Sequence, residues 1–351
     1  MWSLVERFKQ NRARRKFMPR PHRRGKGTIG KVAIVLVVVL LAGMAALQLW
    51  RGGGDTTEFV AHVRAGGPAL DVIERAAAGR RLIFLADVPS ASAPKELAAQ
   101  AIERLAKGSG LDVIALEIDA AEQPFIDRYL ATPSEDAAIL LARPRISHEA
   151  EGVSRAYIDV LRAVRRMNDQ MGADQQIRIV ALDVAGWPPK GAVSPSEAAR
   201  LFGERDSVML NTIMPLLQDD PKSRVLFFVG GLHVLKAGTG VVQTGGTKTV
   251  EARWLASRLA ALYPQDVYSI LVDATPSRIP AAAVAAYRGT SVRSVLRDAR
   301  VNTGLGLPLD PVFDFSRHPV DVTLKPGIHF DMTPRDLRLS TLADAYIYLG
   351  S

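Results

Sequence analysis

Between Lys31 and Arg51 the chain runs for nineteen residues, Val32 to Trp50, without a charge. As a helix rising about 1.5 Å per residue this stretch covers roughly 28 Å, close to the hydrocarbon thickness of a bilayer. A helix at the surface of a water-soluble domain keeps a polar face, and this run has none. The expectation is a transmembrane helix at residues 32–50. The competing reading is a cleaved signal peptide, with Gly43-Met44-Ala45 as a weak small-x-small site. The apolar run exceeds the about 7 to 15 residues of a signal h-region, and a long basic segment precedes it, which favours an uncleaved anchor.

Charge is distributed to match. Residues 1–31 carry eleven Lys and Arg against Glu6 alone, a local charge of +10, so the remaining 320 residues of this +9 chain sum to −1. The main domain therefore has no positive excess with which to neutralise phosphates, and a nucleic-acid partner is not expected. The positive-inside rule places the amino terminus in the cytoplasm, where the basic tail faces anionic lipid headgroups. Residues 51–57, RGGGDTT, read as a short flexible linker to an extracytoplasmic domain spanning residues 58–351. Cysteine is absent, which excludes disulfides and thiolate metal sites.

Beyond the linker, apolar runs of strand type alternate with amphipathic segments of helical period. Strands are expected at 81–86, 112–117, 177–183, 224–229 and 267–272, with 343–349 closing the sheet as an edge or terminal strand. Helices are expected at 69–78, 95–107, 121–131, 134–142, 151–171, 196–218 with a break near Gly203, and 250–262. This alternation predicts an α/β fold with a largely parallel sheet flanked by helices.

Ligands of open α/β sheets bind beyond the carboxyl ends of the strands. Polar residues fall at four such ends: Asp87, Glu117, Asp183 and the turn Gly230-Gly231-Leu232-His233. Each also has a plain structural reading, such as capping the following helix. Paired glycines allow close backbone approaches and can set the His233 imidazole toward a cleft. Arg205, in Glu204-Arg205-Asp206, can bind a carboxylate of a substrate or of Glu117, or form a surface ion pair. His62, His148, His329 and Asp331 read as loop residues that can reach a cleft, and the loop Trp187-Pro188-Pro189 as one that can overhang it.

The order of these pieces resembles the erythromycin esterase, ChaN and Tiki/TraB superfamily over roughly residues 80–240. The residues that carry the likeness are Ala-Leu-Glu117, Arg-Arg-Met-Asn168, Leu-Asp183, Glu-Arg-Asp206 with Met209, and Gly-Gly-Leu-His233. The resemblance implies an α/β domain with its site at the strand ends, in a group that includes ester hydrolases, metal-dependent proteases and haem-binding lipoproteins. Glu117 looks like the group's acidic residue after the second strand, Arg205 like its helix arginine, and His233 like the histidine of Gly-x-x-His. The departure is at the first motif: esterase-like members carry Gly-Glu-x-x-His, where this chain has Ala86-Asp87-Val88-Pro89-Ser90. Asp87 can stand in for the glutamate, whereas Ser90 cannot replace histidine as base or nitrogen ligand.

Two readings of function follow. In the first the chain is a hydrolase of ester or peptide bonds at a cell inner membrane, its domain periplasmic. His233 is then general base or ligand of a divalent metal, Glu117 and Asp87 orient it or share the metal, and Arg205 stabilises negative charge or holds the substrate. In the second the domain kept the fold, lost the histidine at Ser90, and binds a small-molecule or peptide ligand or scaffolds other proteins. Haem binding is a third and lesser option, since no feature marks an axial ligand.

Overall fold

Six apolar runs form one sheet. A computed structural model describes residues 67–88, 91–132, 151–187, 194–237, 239–244, 247–274, 304–308 and 342–349. The chain divides into two units, Met1–Gly53 and Gly54–Ser351, and all the described residues belong to the second. The expected tail, anchor and linker and the helix at 134–142 lie outside them. Among the described residues no helix is long and apolar enough to cross a membrane.

In chain order the elements are β1 (Gly67–Pro68), α1 (Ala69–Gly79), β2 (Leu82–Asp87), α2 (Ala93–Lys107), β3 (Val113–Asp119), α3 (Gln123–Ala131), α4 (Glu151–Asn168) and β4 (Arg178–Asp183). There follow α5 (Pro195–Asp219), β5 (Val225–Gly230), β6 (Thr239–Thr244), β7 (Thr247–Arg253), α6 (Leu255–Leu262), β8 (Val267–Asp273), β9 (Leu305–Pro308) and β10 (Ala345–Tyr348). The sheet order is β1-β9-β10-β8-β2-β5-β3-β4. The six strands from β10 to β4 are parallel, whereas β9 pairs antiparallel with β10, and β1 with β9.

Strands buried on both faces need continuous apolar runs, which is why LIFLA, VIAL and VLFFV read as they do. In the middle of the sheet Phe84 on β2 stands in register with Phe227 on β5, and their fully buried rings stack 4.2 Å apart. Truncating either to alanine is worth about 3–5 kcal/mol. α1 and α4 pack against α2, and α5 packs against α6. Right-handed crossovers put the first group on one face and the second on the other.

β2 and β3 are parallel, with β5 between them. Three expectations are corrected. α5 runs through Gly203 without a break. Residues 250–253 belong to β7, and the helix begins only at Leu255, after the buried Trp254. The last strand is internal rather than an edge, since β9 covers it.

Among the described residues, a side chain occupies one outer edge of the sheet. Gln123 donates from Nε2 to the Ile179 carbonyl and accepts the Ala181 N–H at Oε1, 2.8 and 2.7 Å, as a parallel strand beside β4 would. At the opposite end β1 finishes in Pro68, which has no N–H to offer.

Candidate functional site

The chain leaves β3 toward β4 on one side and leaves β5 toward β8 on the other. This divergence between adjacent strands is a topological switch point, and it opens a crevice at their carboxyl ends. Glu117 comes from β3 and the Gly230–His233 turn from β5. The Gly230 N–H donates to Glu117 Oε2 at 2.6 Å. A Cβ on Gly230 would stand 2.8 Å from that oxygen, so glycine is required for the approach, whereas a Cβ on Gly231 meets nothing within 4 Å. Only the first of the paired glycines is demanded by space.

Arg205, on α5, is buried between two strand ends. Its Nε and Nη2 donate to Asp183 Oδ1 and Oδ2 at 2.8 and 2.7 Å, and Nη2 also reaches Glu117 Oε1. The next residue of α5, Asp206, accepts from His233 Nδ1 at 2.8 Å and from the Leu255 N–H at 2.6 Å. His233 Nε2 faces Glu117 Oε1 at 3.6 Å. Five side chains thus alternate in charge: Asp183, Arg205, Glu117, His233, Asp206.

Their ionisation follows from this order. Burial works against the charged forms throughout. For Glu117 it is outweighed by Arg205, His233 and the Gly230 N–H, which hold the carboxyl well below its ordinary range. For His233 it is outweighed by Asp206 and Glu117, which push the imidazole up to about 10. Arg205 is raised likewise, against its burial, by Glu117 and Asp183. At neutral pH His233 is an imidazolium and Glu117 a carboxylate.

Of the residues expected from the sequence, Glu117, Arg205 and His233 come together here. Asp87 ends β2 in register with Gly230 but is engaged elsewhere: Lys95 Nζ, on α2 and 1% exposed, holds its two oxygens at 2.8 and 3.1 Å. Lys95 also donates to the Val88 carbonyl and lies 5.9 Å from the Tyr157 ring centre. Ser90, His62, His148, His329 and Asp331 lie outside the described residues. Asn168 and the nearby Arg165 serve the fold. Asn168 exchanges hydrogen bonds with the backbone of Ile177 ahead of β4, and Arg165 caps the end of α3 at the Tyr129 and Thr132 carbonyls. Sequence reasoning missed two partners, Asp206 for His233 and Lys95 for Asp87. The adjacency of Asp206 to Arg205 was the available signal for the first; Lys95 reads as an ordinary residue in the first turn of a helix.

No protein-family model matches the chain, and no curated protein matches its sequence. Solved structures do match. One is a Bacillus cereus protein, 10% identical with a TM-score of 0.57, over 83% of this chain and 96% of that one. A succinoglycan biosynthesis protein matches at 11% identity and a TM-score of 0.54, over 84% and 98%. A mutant of the erythromycin esterase EreC in its open conformation gives 13% and 0.49, over 83% and 93%. What the chain shares with the first two is the fold.

Among the described residues the donors at this site do not suit a divalent metal. Among the described residues no group of three or more His, Asp or Glu side chains is placed to hold one. Protonated His233 has no lone pair to give, Asp87 is held by an ammonium, and Glu117 faces a guanidinium.

Proposed function

We propose that the chain is a hydrolase of ester or peptide bonds, anchored in the cell inner membrane by residues 32–50 with its α/β domain outside the cytoplasm. One arrangement supports the reading. A carboxylate and an imidazolium face each other at 3.6 Å at the switch point, each held in its charge state by a neighbour of opposite sign. The pair offers a proton acceptor and a proton donor to one point at the strand ends.

An atom about 3 Å from both can donate to Glu117 Oε1 and accept from His233 Nε2. In the reaction, Glu117 takes a proton from water as the oxygen attacks the acyl carbon. The bond to the leaving oxygen or nitrogen breaks as His233 gives that atom its Nε2 proton. The proton on Glu117 then returns to His233, restoring both charges. The roles differ from those expected of the sequence, because an imidazolium cannot accept a proton. Arg205 contributes by fixing Glu117, since its Nε and Nη2 are directed at protein carboxylates.

The second reading, a ligand-binding domain, draws on the Lys95–Asp87 pair and on Ser90, which leave the first motif without an imidazole. The test is hydrolysis of simple esters and peptides by the full chain in detergent, with and without added divalent metals, beside His233→Ala. Activity that disappears in the folded variant is expected; activity untouched by it rejects the assignment. Membrane fractionation tests the anchor, with release of the chain by salt alone as the opposing result.

A further inference from the structure

Asp119 ends β3 two residues beyond Glu117, and its two oxygens are divided between two elements. Oδ1 accepts the Ala121 N–H at 2.8 Å, and Oδ2 accepts the Gly186 N–H at 2.9 Å. Gly186 lies in a tight turn beyond β4, closed by the Trp187 N–H on the Val184 carbonyl, and has φ +81°, a backbone state that L side chains rarely adopt. The turn delivers the Trp187 ring onto Arg205, 4.7 Å from the guanidinium carbon to the ring centre.

We infer that Trp187 is a positioning residue of this site, roofing Arg205 so that its ion pairs to Asp183 and Glu117 are kept from water, and that Asp119 acts through it by fixing the turn. A planar cation is attracted to an aromatic face, more strongly as water is excluded. The larger effect is on the neighbours. The attraction between guanidinium and carboxylate grows as the effective dielectric falls, so the roof strengthens the contacts that keep Glu117 in place and ionised. Among the described residues, the groups that face Glu117 are Arg205 from α5, His233 from the turn and the Gly230 N–H of β5. Asp183 stands behind the first and Asp206 behind the second. Within this set, Trp187 lies against Arg205. The inference rests on the hydrolase reading for its catalytic consequence alone, because its immediate effect is on the ionisation of Glu117.

The test labels the glutamate carboxyl carbons of the full chain in detergent micelles and follows the Glu117 resonance against pH. The signal is assigned by its loss in Glu117→Gln. In Trp187→Ala the titration midpoint moves upward, in Trp187→Phe it stays near wild type, and in Asp119→Ala it moves upward by a smaller amount. The double variant Trp187→Ala/Asp119→Ala shifts no further than Trp187→Ala, as expected of two residues on one path. A midpoint unchanged in Trp187→Ala overturns the inference. Should that variant fail to fold, Asp119→Ala decides: an unmoved midpoint there overturns it equally. A shift in a chain that hydrolyses nothing leaves the inference standing and removes the hydrolase reading; hydrolysis without a shift does the reverse.

Discussion

Replacing Arg205 by methionine removes a buried cation while keeping an unbranched side chain in its place. Asp183, fully buried, then loses the partner of both its oxygens and keeps the Val184 N–H. Glu117 keeps the Gly230 N–H and the neighbouring imidazolium. Breaking a buried pair by deleting one partner costs about 3–5 kcal/mol, a large part of the about 5–15 kcal/mol that holds a domain folded. For a domain of this size the melting midpoint should fall by about 10 °C. The loss must also depend on pH. In the native protein the Glu117 value lies below the ordinary 4.5, so its contribution is complete above 4.5 and is lost as pH falls through the folded value. Without Arg205, burial gains the upper hand and raises that value, so the variant is penalised at neutral pH and recovers on acidification. Thermal unfolding of both chains in micelles, at neutral pH and close to 4.5, should show the gap narrowing in acid. Asp183→Asn added to Arg205→Met should regain part of the loss. A gap below about 1 kcal/mol, or one equal at the two pH values, would refute the account of Arg205 as a buried counter-charge.

Three further outcomes are expected. The His233 value is raised from 6.5 to about 10, so its contribution is fully present below 6.5 and is lost as pH rises through about 10; the melting midpoint should decline across that window and do so less in His233→Gln. Gly230→Ala forces Glu117 off its seat and should cost about 1–3 kcal/mol together with most of any hydrolysis, while Gly231→Ala, whose Cβ meets nothing within 4 Å, should show neither effect in the same assays. Asn168→Ala should lower stability by about 1–3 kcal/mol in denaturation and leave hydrolysis unchanged.

The sheet was legible because its strands are buried on both faces and so appear as unbroken apolar runs. Those expected at 81–86, 112–117, 177–183, 224–229 and 267–272 all formed, within about two residues at each end. Strand order was not legible, since nothing local in Val225–Gly230 says that it inserts between β2 and β3. Residues 250–253 read as helix from the sequence because their composition suits either state, and only the buried Trp254 marks where the helix begins. At the site, Glu117, Arg205 and His233 were visible from their places at strand ends and on one helix. Their roles were not. Whether His233 gives or takes a proton is set by Asp206, 27 residues earlier in the chain, and by Glu117, on another strand. The setting of Asp87 was not legible for the same reason, its partner being the first-turn lysine of α2.

A sheet of this kind invites its own copies to join it, because an open border offers donors and acceptors in a repeating row. Here one amide and one imino acid stand at the two borders. The Gln123 side chain occupies β4 at the spacing an incoming chain would use, and Pro68 withholds a donor at the far end. Occupation of the β4 border is therefore decided by a residue outside the sheet. Gln123→Ala should turn that border into a template, and the first sign would be slow, concentration-dependent growth of cross-β assemblies from a chain whose site is intact.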